Sequence, residues 1–238
     1  KVDYGTKNMC LGPAMTEAQA VQSLEAGIEI VTAEADKGLD ILGTGDMGIG
    51  NTTASSAVFA ALTGKPASEV TGRGTGISDE QLNHKVDVIA RALQGNQPDR
   101  SKPVDVLTKV GGFEIGGLAG IMLGAAARRI PVVIDGFISG AAALLACALA
   151  MALATGRAPT LFGRFDTYLL PYEPLQSLWL LGVILLLSLP FLLGALVMAA
   201  DGTIYANDTI SPVIYRLEPG DERPQAIISS PILTGLRG

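Results

Sequence analysis

Four glycines stand close together after a short apolar run, and the residues around them could bind an anion. The run Leu39–Leu42 has the composition of a buried strand, and Gly43–Gly50 contains the four glycines. Asn51-Thr52-Thr53 and an alanine-rich stretch that favours a helix follow. Glycines let backbone N–H groups approach a ligand, and the first turn of a helix offers unpaired donors. The pattern favours a phosphate site over a tight strand-to-helix turn, for which one glycine would suffice.

The stretch Gly43–Gly48 also matches GxGxxG, the fingerprint of dinucleotide-binding proteins. That fingerprint needs an acidic residue about 20 positions later, at the end of the next strand. Glu69 is the acidic residue in that region, and it stands among turn-forming residues rather than after a strand. The sequence therefore favours the phosphate of a mononucleotide over a dinucleotide.

A second glycine loop, Gly72–Gly76, precedes a helix that Ser78 is predicted to cap and that runs to about Leu93. Lys85 lies two turns into this helix. Its position allows two interpretations, a solvated surface lysine or the cation that pairs with a phosphate beside the glycine loops. The one histidine, His84, has no identifiable partner, and we predict no chemical role for it.

The elements around these loops predict an α/β fold with a parallel sheet flanked by helices. Thr16 begins a helix with an apolar face, and Ile130–Ile134 has the composition of a second buried strand. Helices that alternate with buried strands are typical of parallel sheets. Ligands bind such sheets at the carboxyl ends of the strands. Asp135, which follows the second strand, is therefore either a ribose ligand or the cap of the next helix.

Composition excludes several classes of function. The 238 residues carry a net charge of −6, which argues against nucleic acid as a partner because phosphate neutralisation needs a basic surface. The two cysteines, Cys10 and Cys147, lie far apart in apolar settings, and the sequence shows no metal-ligand spacing. We therefore predict no metal, no cofactor and no disulfide framework, as in a reducing compartment.

The C-terminal part has a different composition. Leu175–Ala200 contains no charged residue and is long enough to span a membrane as a helix, although a buried soluble helix is the alternative. We predict a linker over 155–174, the membrane helix over 175–200, and a polar tail with short β-like runs over 201–238. Arginines before the apolar segment outnumber those after it, which places the N-terminal domain in the cytoplasm, anchored to the inner face of the membrane.

Four motifs in sequence order resemble nicotinate-nucleotide:dimethylbenzimidazole phosphoribosyltransferase. They are GDMGIGNTT at 45–53, GRGTG at 72–76, VGGFEIGGLAG at 110–120 and AAARRIPVVIDGFISGAAALLA at 125–146. The resemblance covers about residues 1–147 and implies an α/β domain, here assigned to 1–154. It further implies transfer of phosphoribose from nicotinate mononucleotide to a benzimidazole base, which gives α-ribazole phosphate for cobalamin, and it allows a homodimer.

The resemblance also implies which residues meet the ribose and phosphate. They are Gly45, Asp46, Met47, Gly48, Gly50, Asn51, Thr52, Gly72, Gly74, Thr75, Gly76, Lys85, Asp135 and Gly136. The catalytic base of the family is a glutamate in a C-terminal glycine-rich motif, and nothing after residue 147 matches that motif. Asp46 and Glu114 are the catalytic candidates that remain. The alternative to the enzyme is a membrane-anchored, catalytically incomplete fusion or truncation that binds nucleotide or nothing.

Overall fold

The computed structural model describes residues 1–74 and 76–154, and four strands between residues 193 and 229. Its helices, in chain order, are α1 (Glu17–Ala35), α2 (Thr52–Thr63), α3 (Ala67–Val70), α4 (Asp79–Asn96), α5 (Pro103–Val110), α6 (Phe113–Ala127) and α7 (Gly136–Ala154). Its strands are β1 (Leu42–Thr44), β2 (Val132–Asp135), β3 (Leu193–Met198), β4 (Ile204–Asp208), β5 (Val213–Leu217) and β6 (Gln225–Ser229). The first 154 residues are mostly helical, and five consecutive helices, α2 to α6, separate strands β1 and β2.

Helix α1 begins with a complete capping box at the residue that the sequence predicts. The Oγ1 atom of Thr16 accepts a hydrogen bond from the Gln19 backbone N–H at 3.2 Å, and Gln19 Oε1 accepts one from the Thr16 N–H at 2.9 Å. The predicted apolar face is buried, with Leu24 fully covered. This face packs mainly against α6, which places α1 at the centre of the helical core.

Glycines bring the backbones of α1 and α6 close together. A Cβ atom on Gly120 would lie 2.0 Å from the carbonyl oxygen of Leu24, and one on Gly27 would lie 2.0 Å from the carbonyl oxygen of Gly117. Side chains at these positions would overlap the backbone of the facing helix. The contact therefore depends on residues without side chains, and it fixes α6, whose first turn borders the candidate site.

The predicted parallel pairing is confirmed between the two strands of the N-terminal domain, and the whole sheet within the described residues is mixed. Strands β1 and β2 are parallel, with Thr44 opposite Ile134, and this pair agrees with the prediction. Within the described residues the sheet continues in the order β1 to β6, and every other pair is antiparallel. Strands β3 to β6 follow one another after few residues, and a parallel pair would need a crossover of a dozen or more. The β-like runs predicted in the tail are confirmed as β5 and β6.

Helix α7 is apolar but packs inside the domain. Its window Gly136–Leu153 has a mean hydropathy of 2.1 and could cross a membrane by length and composition, yet 50% of it is buried in the protein. It contacts α2 and α6. A core helix of a soluble domain has the same composition, so this helix alone is weak evidence for a membrane protein.

The membrane helix predicted over 175–200 falls mostly outside the described residues, which exclude 175–192 and 199–200. At Leu193–Met198 the prediction of a helix is wrong, because the backbone there is strand β3 and pairs with β2 and β4. Helix α5 is an element that is not predicted from the sequence.

Candidate functional site

The first glycine loop follows β1 and is held in shape by one carboxylate. The Oδ1 atom of Asp46 accepts hydrogen bonds from the Gly48 backbone N–H at 2.8 Å and from Asn51 Nδ2 at 2.9 Å. Gly48 and Gly50 have φ values of +75° and +80°, in the left-handed region that favours glycine. The loop therefore turns back on the side chain of Asp46 and delivers the chain to the start of α2.

The start of α2 carries no side-chain cap. Asn51 is the N-cap residue, and its side chain makes no capping hydrogen bond. The first backbone N–H bonded within the helix is that of Ser55, which donates to the Asn51 carbonyl at 3.0 Å. The N–H groups of residues 52–54 thus have no partner inside the helix, and the helix dipole adds positive potential there. Such a helix start can bind a phosphate group.

Lys85 joins the start of α2 to the second glycine loop. Its Nζ atom donates to Thr52 Oγ1 at 2.8 Å and to the carbonyl oxygen of Gly72 at 3.4 Å. In the described part of the chain no carboxylate forms an ion pair with it. Burial lowers the pKa of Lys85 below its ordinary value of 10.5, because desolvation disfavours the charged form. The structure thus brings together the two loops and the lysine that the sequence predicts for a phosphate site.

The second glycine loop contains a cation, Arg73, that is already bonded to nearby groups of the protein. Arg73 forms an ion pair with Asp79 and donates to the carbonyl oxygen of Ile77 at 3.0 Å. Gly74 lies near the start of α2, since a Cβ atom on it would come within 3.7 Å of Thr52 Oγ1. Thr75 lies outside the described residues. Lys85 is therefore the cation that this region presents without a carboxylate partner among the described residues.

A cleft of about 460 Å³ is lined in part by the first loop. Three chain segments line it: Gly5 and Thr6, the first loop with the start of α2, and Gly111 to Glu114 at the start of α6. The side chains of Met47 and Ile49 are 86% and 82% exposed, so the loop presents apolar surface. Planar apolar ring systems fit surfaces of this kind. The described residues place no cluster of metal-ligating side chains here or elsewhere.

Two carboxylate residues line the cleft. Asp46 belongs to the loop, and Glu114 belongs to the first turn of α6. A Cβ atom on Gly112 would lie 2.2 Å from Glu114 Oε1, so the carboxylate lies over Gly112 in space that only glycine leaves free. Asn51 adds a buried Oδ1 atom that has no hydrogen-bond partner within residues 1–74 and 76–154. This end of the site is rich in acceptors, in contrast to the end at Lys85.

Asp135 and Gly136 do not line this cleft. They stand at the carboxyl end of β2, next to the end of β1, because Ile134 pairs with Thr44. The side chain of Asp135 is exposed. His84 is also exposed, on α4.

The walls formed by Gly5, Thr6 and Phe113 are not predicted from the sequence, because they reach the loop only through the tertiary packing of distant segments.

Comparison with known proteins identifies the family. A family model described as phosphoribosyltransferase matches residues 1–156. The chain belongs to this family. A protein named nicotinate-nucleotide–dimethylbenzimidazole phosphoribosyltransferase from Desulforudis audaxviator is 63% identical over 150 residues, which are 63% of this chain and 42% of that protein. The protein of the same name from Dehalococcoides mccartyi is 63% identical over 142 residues, 60% of this chain and 40% of that protein. The resemblance in the four motifs is therefore confirmed.

Solved structures agree with the family. The structure of CobT from Thermus thermophilus matches with a TM-score of 0.61 and 45% identity, covering 65% of this chain and 46% of that chain. A second structure from the same organism, titled as the phosphoribosyltransferase, matches with a TM-score of 0.58 and 42% identity and covers 65% of this chain and 45% of that chain. The chain spans about two fifths of the length of the curated family members that it matches.

Proposed function

We propose that residues 1–154 bind nicotinate mononucleotide as a phosphoribosyl donor. In the proposed reaction the phosphoribosyl group passes to a benzimidazole base, giving nicotinate and α-ribazole phosphate for cobalamin assembly. The observation that carries the proposal is the hydrogen bond of Lys85 Nζ to Thr52 Oγ1 at 2.8 Å, beside the uncapped start of α2. The names of the relatives that are 63% identical support the choice of substrates.

The phosphate group would bind between the two glycine loops. The ammonium of Lys85 supplies charge, Thr52 supplies a hydroxyl, and the first turn of α2 supplies backbone N–H groups. The hydrogen bond of Lys85 to the carbonyl oxygen of Gly72, 3.4 Å long, fixes the second loop against this arrangement. Charge-assisted hydrogen bonds of this kind are about twice as strong as neutral ones. This end of the site therefore anchors the ligand without contacting the reacting atoms.

The ribose and the bases would lie in the acidic cleft. When nicotinate leaves, positive charge develops on the ribose, and carboxylates such as those of Asp46 and Glu114 stabilise it. A general base takes the proton of the incoming nitrogen, and such assistance is worth about 10²–10⁴-fold in rate. Met47 and Ile49 present apolar surface to the planar rings. Asp135 and Gly136 lie outside this cleft, at the end of β2 next to the end of β1, and their contact with the ribose stays a prediction.

Calorimetric titration of the 238-residue chain with nicotinate mononucleotide tests the binding step, with free nicotinate as the control ligand. The mononucleotide is expected to bind and nicotinate to bind much more weakly, because the phosphate supplies most of the contacts. A folded chain that gives no heat of binding at millimolar mononucleotide would contradict the proposal.

Formation of α-ribazole phosphate from nicotinate mononucleotide and dimethylbenzimidazole tests the activity. Product at a rate near one turnover per second, the lower end of common enzyme rates, would support a complete transferase in this chain. Binding without product would favour the alternative, a catalytically incomplete nucleotide-binding protein. The two outcomes are distinguished in one preparation when titration and turnover are measured together.

We also propose that the uncharged segment within 175–192 anchors the chain to the inner face of the membrane, with the N-terminal domain in the cytoplasm. Because β3 pairs with β2 of the N-terminal domain, both ends of this segment lie on the same side of the membrane, so it would lie along the inner face without spanning the bilayer. Carbonate extraction of cells expressing the chain with and without 175–192 is the test. Recovery of the intact chain in the soluble fraction would contradict it.

A homodimer stays a prediction, which sedimentation analysis of the purified chain can check.

A further inference from the structure

We propose that Glu114 is the carboxylate that contacts the ribosyl part of the ligand, whereas Asp46 is a positioning residue for the glycine loop. The inference rests on the proposed function and divides the roles of the two acids in the cleft. Sequence reasoning leaves both as catalytic candidates. Their hydrogen bonds separate them.

Asp46 is engaged by its own loop. One of its oxygens, Oδ1, accepts from both the Gly48 N–H at 2.8 Å and Asn51 Nδ2 at 2.9 Å. These bonds close the turn between β1 and α2. A ligand that drew this carboxylate away would release the loop and the N-cap residue with it. The geometry therefore suits Asp46 to hold the frame of the site, with the loop as its main partner.

Glu114 has no such engagement. Within the described residues its carboxylate forms neither a hydrogen bond nor an ion pair, although the side chain is partly buried. It lines the cleft together with Asp46 and Asn51, and it lies over Gly112, where a larger residue would displace it. A partly buried carboxylate loses hydrogen bonds to water, and without a protein partner no other bond replaces them. A ligand that donates hydrogen bonds to the carboxylate would replace them. The hydroxyl groups of ribose are donors that would do so.

The acceptors around Glu114 match a ribosyl group in chemistry. Asn51 also lines the cleft, and its buried Oδ1 atom is a second acceptor without a hydrogen-bond partner in the described part of the chain. Asn51 directly precedes Thr52, which contacts Lys85, so the acceptor-rich and cationic ends meet at the start of α2. A sugar phosphate is complementary to these two ends. Its sugar has hydrogen-bond donors and develops positive charge, which match the acceptors, and its phosphate is negative, which matches Lys85. Glu114 lies on the sugar side of this arrangement.

The test compares Glu114→Gln with Glu80→Gln in the full chain. Both glutamates are the second residue of a helix, in α6 and α4, so both substitutions remove the same charge from a helix start. Only Glu114 lines the cleft. Affinities for nicotinate mononucleotide and for inorganic phosphate are measured by calorimetry. We expect Glu114→Gln to lower the affinity for the mononucleotide by about tenfold or more and to leave the affinity for phosphate within about twofold of the original. Glu80→Gln is expected to change neither.

Each other outcome overturns the inference. Equal mononucleotide affinity in the two variants would show that Glu114 does not contact the ligand. Parallel losses for mononucleotide and phosphate, or a Glu114→Gln chain that does not fold, would show a structural role instead. If the unmodified chain binds neither ligand, the proposed function fails, and this inference fails with it. Asp46→Ala gives a further contrast, since it removes both hydrogen bonds to Oδ1, and the loosened loop should bind both ligands more weakly.

Discussion

Glycine occurs at close intervals in two regions of the molecule, the loop after β1 and the contact between α1 and α6. In the loop, a Cβ atom added to Gly43, Gly45, Gly48 or Gly50 would meet nothing within 4 Å. In the helix contact, one added to Gly120 would lie 2.0 Å from a backbone oxygen. Glycine in the contact leaves room for a neighbouring helix, whereas glycine in the loop leaves room that the protein itself does not fill. Space of the second kind is where a ligand approaches the backbone.

The helix starts show the same contrast. Helices α1 and α4 each begin with a full capping box, at Thr16 and Ser78. Helices α2 and α6, which begin at the cleft, have Asn51 and Gly112 at the N-cap and no side-chain cap. The capped starts bond part of their own donors, whereas the open starts of α2 and α6 leave theirs unpaired beside the cleft. Helices α3 and α5 also lack a side-chain cap, at Pro66 and Lys102, but they do not begin at the cleft. Substitutions in both regions can test whether this division between scaffold and site holds.

The largest effect is expected in the scaffold. Gly120→Ala should lower the free energy of unfolding by about 3 kcal/mol, because the new methyl group overlaps the backbone of α1. The control is Gly95→Ala in α4, where nothing lies within 4 Å and alanine should stabilise the helix by about 0.5–1 kcal/mol. Urea denaturation followed by circular dichroism measures both. Similar stabilities for the two variants would contradict the close contact.

Removal of the lysine should affect the site alone. Lys85→Met is expected to weaken phosphate and mononucleotide binding by about 1.5–3 kcal/mol, since a charge-assisted bond is lost. The free energy of unfolding should stay within about 1 kcal/mol of the original, because methionine also removes the desolvation cost of the ammonium. If calorimetry shows unchanged affinity, Lys85 does not bind the phosphate and is a solvated surface lysine.

The pH dependence of phosphate binding follows from the same residue. Burial lowers the pKa of Lys85 from its ordinary value of 10.5, so the ammonium loses its proton at a lower pH than a free lysine does. Affinity should therefore be retained below this lowered pKa and should fall as the pH rises through it. Lys85→Met should abolish that fall. A decline that persists in the variant would point to another group.

Substitution of the two kinds of N-cap should separate stability from binding. Ser78→Ala removes a capping box and should cost about 1 kcal/mol of unfolding free energy without loss of mononucleotide affinity. Asn51→Ala removes no cap bond and should cost little stability, yet it should weaken the mononucleotide by about 1 kcal/mol because Asp46 loses a partner. Denaturation and titration on both variants give the comparison. Equal stability losses would contradict the distinction between capped and open starts.

The smallest effect concerns the loop itself. Gly45→Ala places a methyl group where nothing lies within 4 Å, so the free energy of unfolding should change by less than about 0.5 kcal/mol. Mononucleotide affinity should nevertheless fall, because the methyl group occupies space beside the ligand. A variant that binds as tightly as the original would show that the ligand does not approach Gly45.

Patterns of neighbouring residues predict the helices and the loops well. They do not predict which distant segments form the walls of the cleft. The capping signal at Thr16 and the apolar face of α1 depend on neighbouring residues, and the structure confirms both. Helix α5 carries a start signal, since Pro103 at the first helical position is typical of helix starts, but the segment is too short to show a clear helical period. The cleft walls at Gly5 and Phe113 have no local signature. The mixed sheet likewise depends on the pairing of β2 with β3, which no pattern within either strand specifies.

Amide hydrogen exchange, detected by NMR at the helix starts with and without saturating nicotinate mononucleotide, tests the phosphate site most directly. We predict slower exchange at the N–H groups of residues 52–54 when the ligand is bound, because these donors have no partner inside the helix in the free protein. We predict no change at Gln19 and Gln81, whose N–H groups are already bonded to capping side chains. Saturated binding that leaves exchange at residues 52–54 unaltered would contradict the claim that the open start of α2 holds the phosphate.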